Sequence, residues 1–180
     1  MTRQQRIKRV LNYHKDVEAA WNEAKKLGEE LAFIRQMVLQ DVYFLLYYVL
    51  ERKDICYEDF VEGDIIQGVP SGKGDEIIGK TPDGRNIWRW YRPFLFERCQ
   101  EVQNEPDGYL DVWFRDAYKS SIISYAMTIQ EILRNPEIMI CVYSYNISRA
   151  QSILVQVKNS LQGNQTLLAC FPDILFNNVN

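Results

Sequence analysis

At 180 residues and 21.3 kDa, with 47% hydrophobic and 25% charged side chains, the chain has the size of one ordinary domain and enough apolar content to build a core, which excludes a disordered polymer. Lys+Arg number 21 against 24 Asp+Glu, so the net charge of −3 excludes a uniformly basic nucleic-acid coat, though not a local basic groove. Cys56, Cys99, Cys141 and Cys170 stand far apart, and His14 is the one histidine, which argues against a Cys/His zinc site or a disulfide framework and for reduced thiols.

Charge divides the chain into three sections: residues 1–53 hold 10 basic and 7 acidic side chains, residues 54–111 hold 6 and 13, and residues 112–180 hold 5 and 4. The first opens with Arg3, Arg6, Lys8 and Arg9 and reads neither as a signal peptide nor as a membrane span. Val17, Ala20, Trp21, Ala24 and Leu27 recur at helical spacing up to Gly28. Leu31, Ile34, Met37, Val38, Val42, Leu45 and Val49 continue that period over a longer stretch. Residues 1–60 are therefore expected to be a helical lead-in.

Eight glycines and prolines between Gly63 and Gly84 then forbid a helix, and residues 61–88 are expected to form a loop or hairpin. Pro82-Asp83-Gly84 signals a turn across which Ile77-Ile78 and Ile87-Trp88 can pair. The nearby run from Gly68 to Gly74 resembles a phosphate loop only superficially: its glycine gap is too short, and no hydroxyl residue follows Lys73. Trp90–Val102 resumes a helical pattern, with Pro93 tolerable in its first turn.

Residues 89–180 carry the informative pattern. Tyr109–Phe114 (YLDVWF) reads as a buried strand, Lys119–Leu133 as a helix stopped by Asn135-Pro136, and Ile138–Tyr143 (IMICVY) as a second buried strand. A last helix is expected from an N-cap at Ser148 to about Leu161. Strand, helix, strand, helix, with both strands apolar on two faces, predicts an α/β fold: an incomplete parallel sheet like that of a P-loop NTPase, preceded by the helical region.

The chemistry would sit in Arg115-Asp116-Ala117-Tyr118-Lys119-Ser120-Ser121, between the first strand and its helix. First-turn amides and the helix dipole favour an anion there; a lysine reaches phosphate oxygens, and the hydroxyl after it can hold Mg²⁺. The Gly-x-x-x-x-Gly-Lys-Ser/Thr pattern is met only at Lys119-Ser120, since Tyr118 stands where glycine is expected.

Trp90–Leu175 resembles the ATPase domain of the large terminase subunit of tailed bacteriophages, whose deviant loop begins with arginine and often lacks the glycine before its lysine. Arg115, Lys119 and Ser120 match that loop, and Val142-Tyr143-Ser144 with Ser148-Arg149-Ala150 resembles the second strand and following helix. Asn164–Leu175 resembles the approach to the third strand, and Ile34–Asp54 the helical lead-in.

The resemblance implies an ATP-driven motor that packages double-stranded DNA in the cytoplasm of an infected bacterium. Its partners would be a portal protein and a small terminase subunit, it would assemble as a homo-oligomer on the procapsid, and it would need no membrane. Lys119 and Arg115 would serve catalysis, residues 116–121 would bind ATP, Ser120 would hold Mg²⁺, and Tyr91-Arg92 would fall at the adenine-contacting segment. No acidic pair follows an apolar run after Ser121, so the chain reads as an N-terminal fragment with negligible hydrolysis of its own. Two alternatives remain: a fragment of another P-loop DNA motor such as a helicase, and a non-catalytic helical interaction module.

Overall fold

The computed structural model describes residues 1–64, 73–104 and 117–175. Helix α1 (Arg3–Leu27) begins with a capping box, in which Thr2 and Gln5 exchange side-chain and backbone hydrogen bonds. It ends at Gly28, whose φ of 75° lets its amide turn back to the last-turn carbonyls. Ile7, Val10, Val17 and Ala24 form its buried stripe.

The predicted long second helix is broken at Asp41. Helix α2 (Glu30–Gln40) stops there, and the Asp41 carboxylate accepts from the amides of Tyr43 and Phe44 to start α3 (Val42–Phe44). The chain then widens into a π-helical turn, Leu45–Val49, where the Leu50 amide reaches back five residues to Leu45. Val42, Phe44, Leu45 and Leu46, spanning α3 and the π turn, are all fully buried, because this stretch, apolar all round, runs through the centre of the core.

Helix α4 (Lys53–Cys56) leads directly into β1 (Tyr57–Val61), a strand inside the stretch expected to be helical. β2 (Glu76–Lys80) and β3 (Asn86–Tyr91) form the hairpin about the Pro82–Gly84 turn, with Ile77 opposite Trp88 and a bulge before Gly79. The sheet order is β1-β3-β2, antiparallel throughout. Arg3 of α1 fastens this sheet by pairing with Asp75, donating to the Tyr91 carbonyl and lying 3.7 Å from the Trp90 ring centre. Because β3 runs to Tyr91, helix α5 (Pro93–Asn104) begins later than the periodicity suggests, with Pro93 at its first position.

The second half is helical. Lys119 starts a helix whose first part, Ser120–Met127, is π-helical and whose second part is α6 (Thr128–Arg134). Helix α7 (Ile147–Gly163) is capped by Asn146, which accepts from the Ser148 amide; Ser148 is not the cap. Asn164 caps α8 (Gln165–Cys170) and also donates to the Val49 carbonyl, tying α8 to the π turn. Phe171, fully buried, closes the core beneath Arg35, whose guanidinium pairs with Asp173.

The fold is thus mixed α/β, mostly helical, with a small antiparallel sheet of three strands among the described residues. Ile138–Tyr143 is not the expected buried strand. It leaves the Pro136-Glu137 turn and pairs with no strand among the described residues. Side chains along it alternate between half-buried (Ile138, Ile140, Val142) and exposed (Met139, Cys141, Tyr143). Apolarity on both faces gave it the capacity to be buried but not the neighbours. The other expected strand, residues 109–114, lies outside the described residues, as does most of the glycine-rich loop.

Candidate functional site

Sequence pattern and backbone geometry converge at residues 117–121. Ala117 is buried and anchors the turn. Tyr118 follows in the left-handed region, φ 59°, which sterics penalise for a residue with a Cβ and which glycine adopts freely. Its ring packs against the core. Its carbonyl accepts from the amides of Ser121 (3.0 Å) and Ile122 (3.1 Å), so the helix starts immediately after the strained residue.

Lys119 and Ser120 emerge exposed from that start, and Ser121 is half-buried. Among the described residues no side chain caps the π segment, and its first turn carries no acidic residue. The first-turn amides of a helix find no acceptor within it, and the positive end of its dipole favours an anion. Ser121 and Ile122 give their amides to Tyr118, which concentrates this capacity at the very beginning of the helix.

Arg92, at the junction of β3 and α5, joins the turn. Its guanidinium carbon lies 5.7 Å from the Tyr118 ring centre, within cation–π range. Charge on it is already partnered: it pairs with Glu58 of β1 and donates to the Asp54 carbonyl at 3.1 Å. Its own amide donates to the Cys56 carbonyl, which fixes the backbone as well. The pairing with Glu58 depends on β1, the strand that sequence reading missed; Tyr57-Glu58-Asp59-Phe60-Val61 mixes polar and apolar residues on both faces, so no period-two pattern marks it.

Tyr91 points into different company. Its ring meets Tyr57, its hydroxyl donates to Glu76 at 2.7 Å and its amide donates to Asp75 at 2.9 Å. Burial and the neighbouring Glu76 carboxylate push its phenol up to about 12. It acts as a rivet of the sheet, and only Arg92 of this dipeptide meets Tyr118. Arg115 and Asp116 lie outside the described residues.

Of the acidic residues that follow, Glu131 pairs with Arg134 and Asp173 with Arg35, and Glu137 is exposed in the turn after α6. Among the described residues no cluster of three His, Cys, Asp or Glu side chains is placed to hold a metal ion. A separate cleft of about 320 Å³ is lined by Glu18, Trp21, Asn22, Lys25 and Tyr48, none of them a candidate site residue from sequence. Helices long and apolar enough to cross a membrane are also absent from the described residues.

Comparison with known proteins adds no neighbour: no family model, no curated protein and no solved structure matches this chain.

Proposed function

We propose that the chain is the N-terminal part of an ATP-driven DNA-packaging motor of the large-terminase type, and that residues 115–121 are its phosphate loop. The observation that carries this reading is the left-handed Tyr118 directly ahead of an exposed Lys-Ser pair at a helix start. Tyrosine there adopts a conformation open to glycine, the residue that the P-loop pattern places at that position.

In this reading the amides from Asp116 to Ser120 cradle the phosphates, while the Ser121 amide, expected from sequence to join them, is held by the Tyr118 carbonyl. Lys119 neutralises charge on the β- and γ-phosphates as a point cation, and Arg115 stabilises the γ-phosphate. Ser120 supplies one hydroxyl toward Mg²⁺. A single hydroxyl suits an ion that arrives on the nucleotide and keeps most of its waters, whose role is to spread charge over the phosphate oxygens. Arg92 supports the loop through the Tyr118 ring, with Tyr91 on the sheet beside it.

The fold that goes with the proposal is a parallel nucleotide-binding sheet with residues 109–114 and 138–143 as strands. Reaching it requires further strands beside 138–143. Double-stranded DNA, a portal protein, a small terminase subunit and further copies on the procapsid belong to the same proposal, set in the cytoplasm of the infected host. So does the expectation that this chain alone turns over ATP negligibly, since a Mg²⁺-binding carboxylate at the end of a buried strand is not among the residues assigned here.

Titration with a fluorescent ATP analogue and Mg²⁺ tests the site. Saturable binding that Lys119→Ala reduces at least about tenfold, the equivalent of one charge-assisted hydrogen bond, is the expected result. Unchanged affinity in that variant removes the site. A non-catalytic interaction module is the second reading, favoured by the helical majority and by large apolar side chains left in solvent between Met139 and Val155. Absence of nucleotide binding by the unmodified chain supports it.

A further inference from the structure

Glu18, Trp21, Asn22 and Lys25 recur at helical spacing and so share one face of α1, and Tyr48 of the π turn joins them to line the cleft of about 320 Å³. Trp21 and Tyr48 are its aromatic walls. Their ring centres lie 5.8 Å apart and their planes cross at 68°, which makes a corner rather than a stack. Both rings are held in place: the Trp21 indole N–H donates to Glu30 at 2.7 Å, Phe33 and Phe44 lie against the indole, and the Tyr48 hydroxyl hydrogen-bonds His14 at 2.7 Å.

Charge decides what such a corner attracts. The faces of aromatic rings are negative and draw cations, and the chain already uses this, since the Lys25 ammonium lies 5.3 Å from the Trp21 ring centre. That ammonium is itself offset by the Glu30 carboxylate at 3.2 Å. Glu18, by contrast, has no basic partner among the described residues. Burial and then the Glu18 carboxylate push the Tyr48 phenol up, which places that carboxylate near the Tyr48 wall. The cleft thus keeps one uncompensated negative charge beside two ring faces.

We propose that this cleft binds a small organic cation of the alkylated ammonium class, its charge shared between the Trp21 and Tyr48 rings and the Glu18 carboxylate. Hard metal ions ask for a shell of oxygens, and one carboxylate among ring faces does not supply it. An alkylated ammonium is weakly hydrated and needs no such shell, so ring faces suit it better than they suit a metal ion. Asn22 adds an amide for a polar substituent on the same molecule. An anion would meet both Glu18 and Glu30.

Choline is the probe, and its uncharged isostere 3,3-dimethylbutan-1-ol is the control, each titrated into the full chain at constant ionic strength while the Trp21 indole N–H resonance is followed. Choline should move that resonance saturably with a dissociation constant of roughly 1 mM, and the isostere should bind at least about tenfold more weakly. Glu18→Gln should weaken choline binding, and Lys25→Gln, which removes a like charge from the same ring, should strengthen it. Each change should be about two- to fivefold, the range of one exposed ion pair. Both substitutions lie at exposed positions and should keep the parent's circular dichroism.

Absence of saturable movement up to about 100 mM choline overturns the proposal. So does equal binding of the isostere, an affinity that Glu18→Gln leaves unchanged, or choline binding that Lys25→Gln weakens. Nucleotide binding at Lys119 is read separately, so either result stands without the other.

Discussion

Replacing Tyr118 by alanine and by glycine isolates the backbone strain at the candidate site. Both variants delete the same ring, its packing and its contact with Arg92, so those losses cancel between them. What differs is the residue's tolerance of φ 59°. A Cβ in the left-handed region costs roughly 1–2 kcal/mol. Glycine gives part of that back through the larger entropy of its unfolded chain, roughly 0.4–1 kcal/mol. The net expectation is that the glycine variant is more stable than the alanine variant by about 1 kcal/mol, or roughly 2–4 °C in melting temperature for a chain of this length. In ordinary helix or strand positions the sign is the reverse, with alanine ahead by about 0.5–1 kcal/mol. Urea and thermal melts of the two variants measure the difference. Equal stability, or alanine ahead, refutes the left-handed turn and with it the geometry on which the phosphate loop rests.

Other expectations follow from the core. His14 hydrogen-bonds Tyr48 at 2.7 Å, and burial, with Lys53 nearby, holds its imidazole down to about 4. The folded state thus keeps it neutral while the unfolded chain takes up a proton below 6.5, so stability falls as pH drops from 6.5 toward 4 and no further on this account below that. His14→Gln should flatten that slope in pH-dependent urea melts, by an amount on the order of 2 kcal/mol after discounting for partial exposure. The carboxylates of Glu97, Asp54 and Asp173, held below their ordinary range by hydrogen bonds from Arg6, Arg52 and Arg35, lose their contribution only at lower pH. Gln130, fully buried, donates to the Val38 carbonyl at 2.7 Å. Gln130→Leu leaves that carbonyl buried without its donor and should cost about 1–3 kcal/mol in urea denaturation, the lower end because the amide oxygen it removes has no partner itself.

Local signals in the sequence were legible where one interaction range decides the outcome. Gly28 ends α1, Pro82–Gly84 turns the hairpin, and the apolar period from Lys119 to Leu133 gives the helix that carries the candidate site. Asp41 was hidden because helical periodicity runs straight through it. Its carboxylate caps the next helix while Val38 and Val42 on either side remain fully buried, so the stripe continues although the helix does not. The π turn at Leu45–Val49 has the same character, since a run apolar all round fits an α-helix or a widened one equally well. β1 is short and follows a four-residue helix, and its pairing partner lies some thirty residues away in sequence, with Tyr57 opposite Tyr91. Ile138–Tyr143 shows the limit most plainly: composition states what a segment is able to bury, and only its neighbours decide whether it is buried. Within the candidate site, Lys119 and Ser120 could be picked from sequence, whereas the backbone angle of Tyr118 and the Arg92–Glu58 pairing are properties of the folded chain.

Amide resonances report most directly on whether an anion sits at this helix start. In ¹⁵N–¹H correlation spectra titrated with ATP and Mg²⁺, the amides of Tyr118, Lys119, Ser120 and Ser121 should move first and furthest, saturably, and Lys119→Ala should suppress the movement. Shifts confined to other parts of the chain, or none in this turn at saturating nucleotide, would contradict the phosphate-loop assignment.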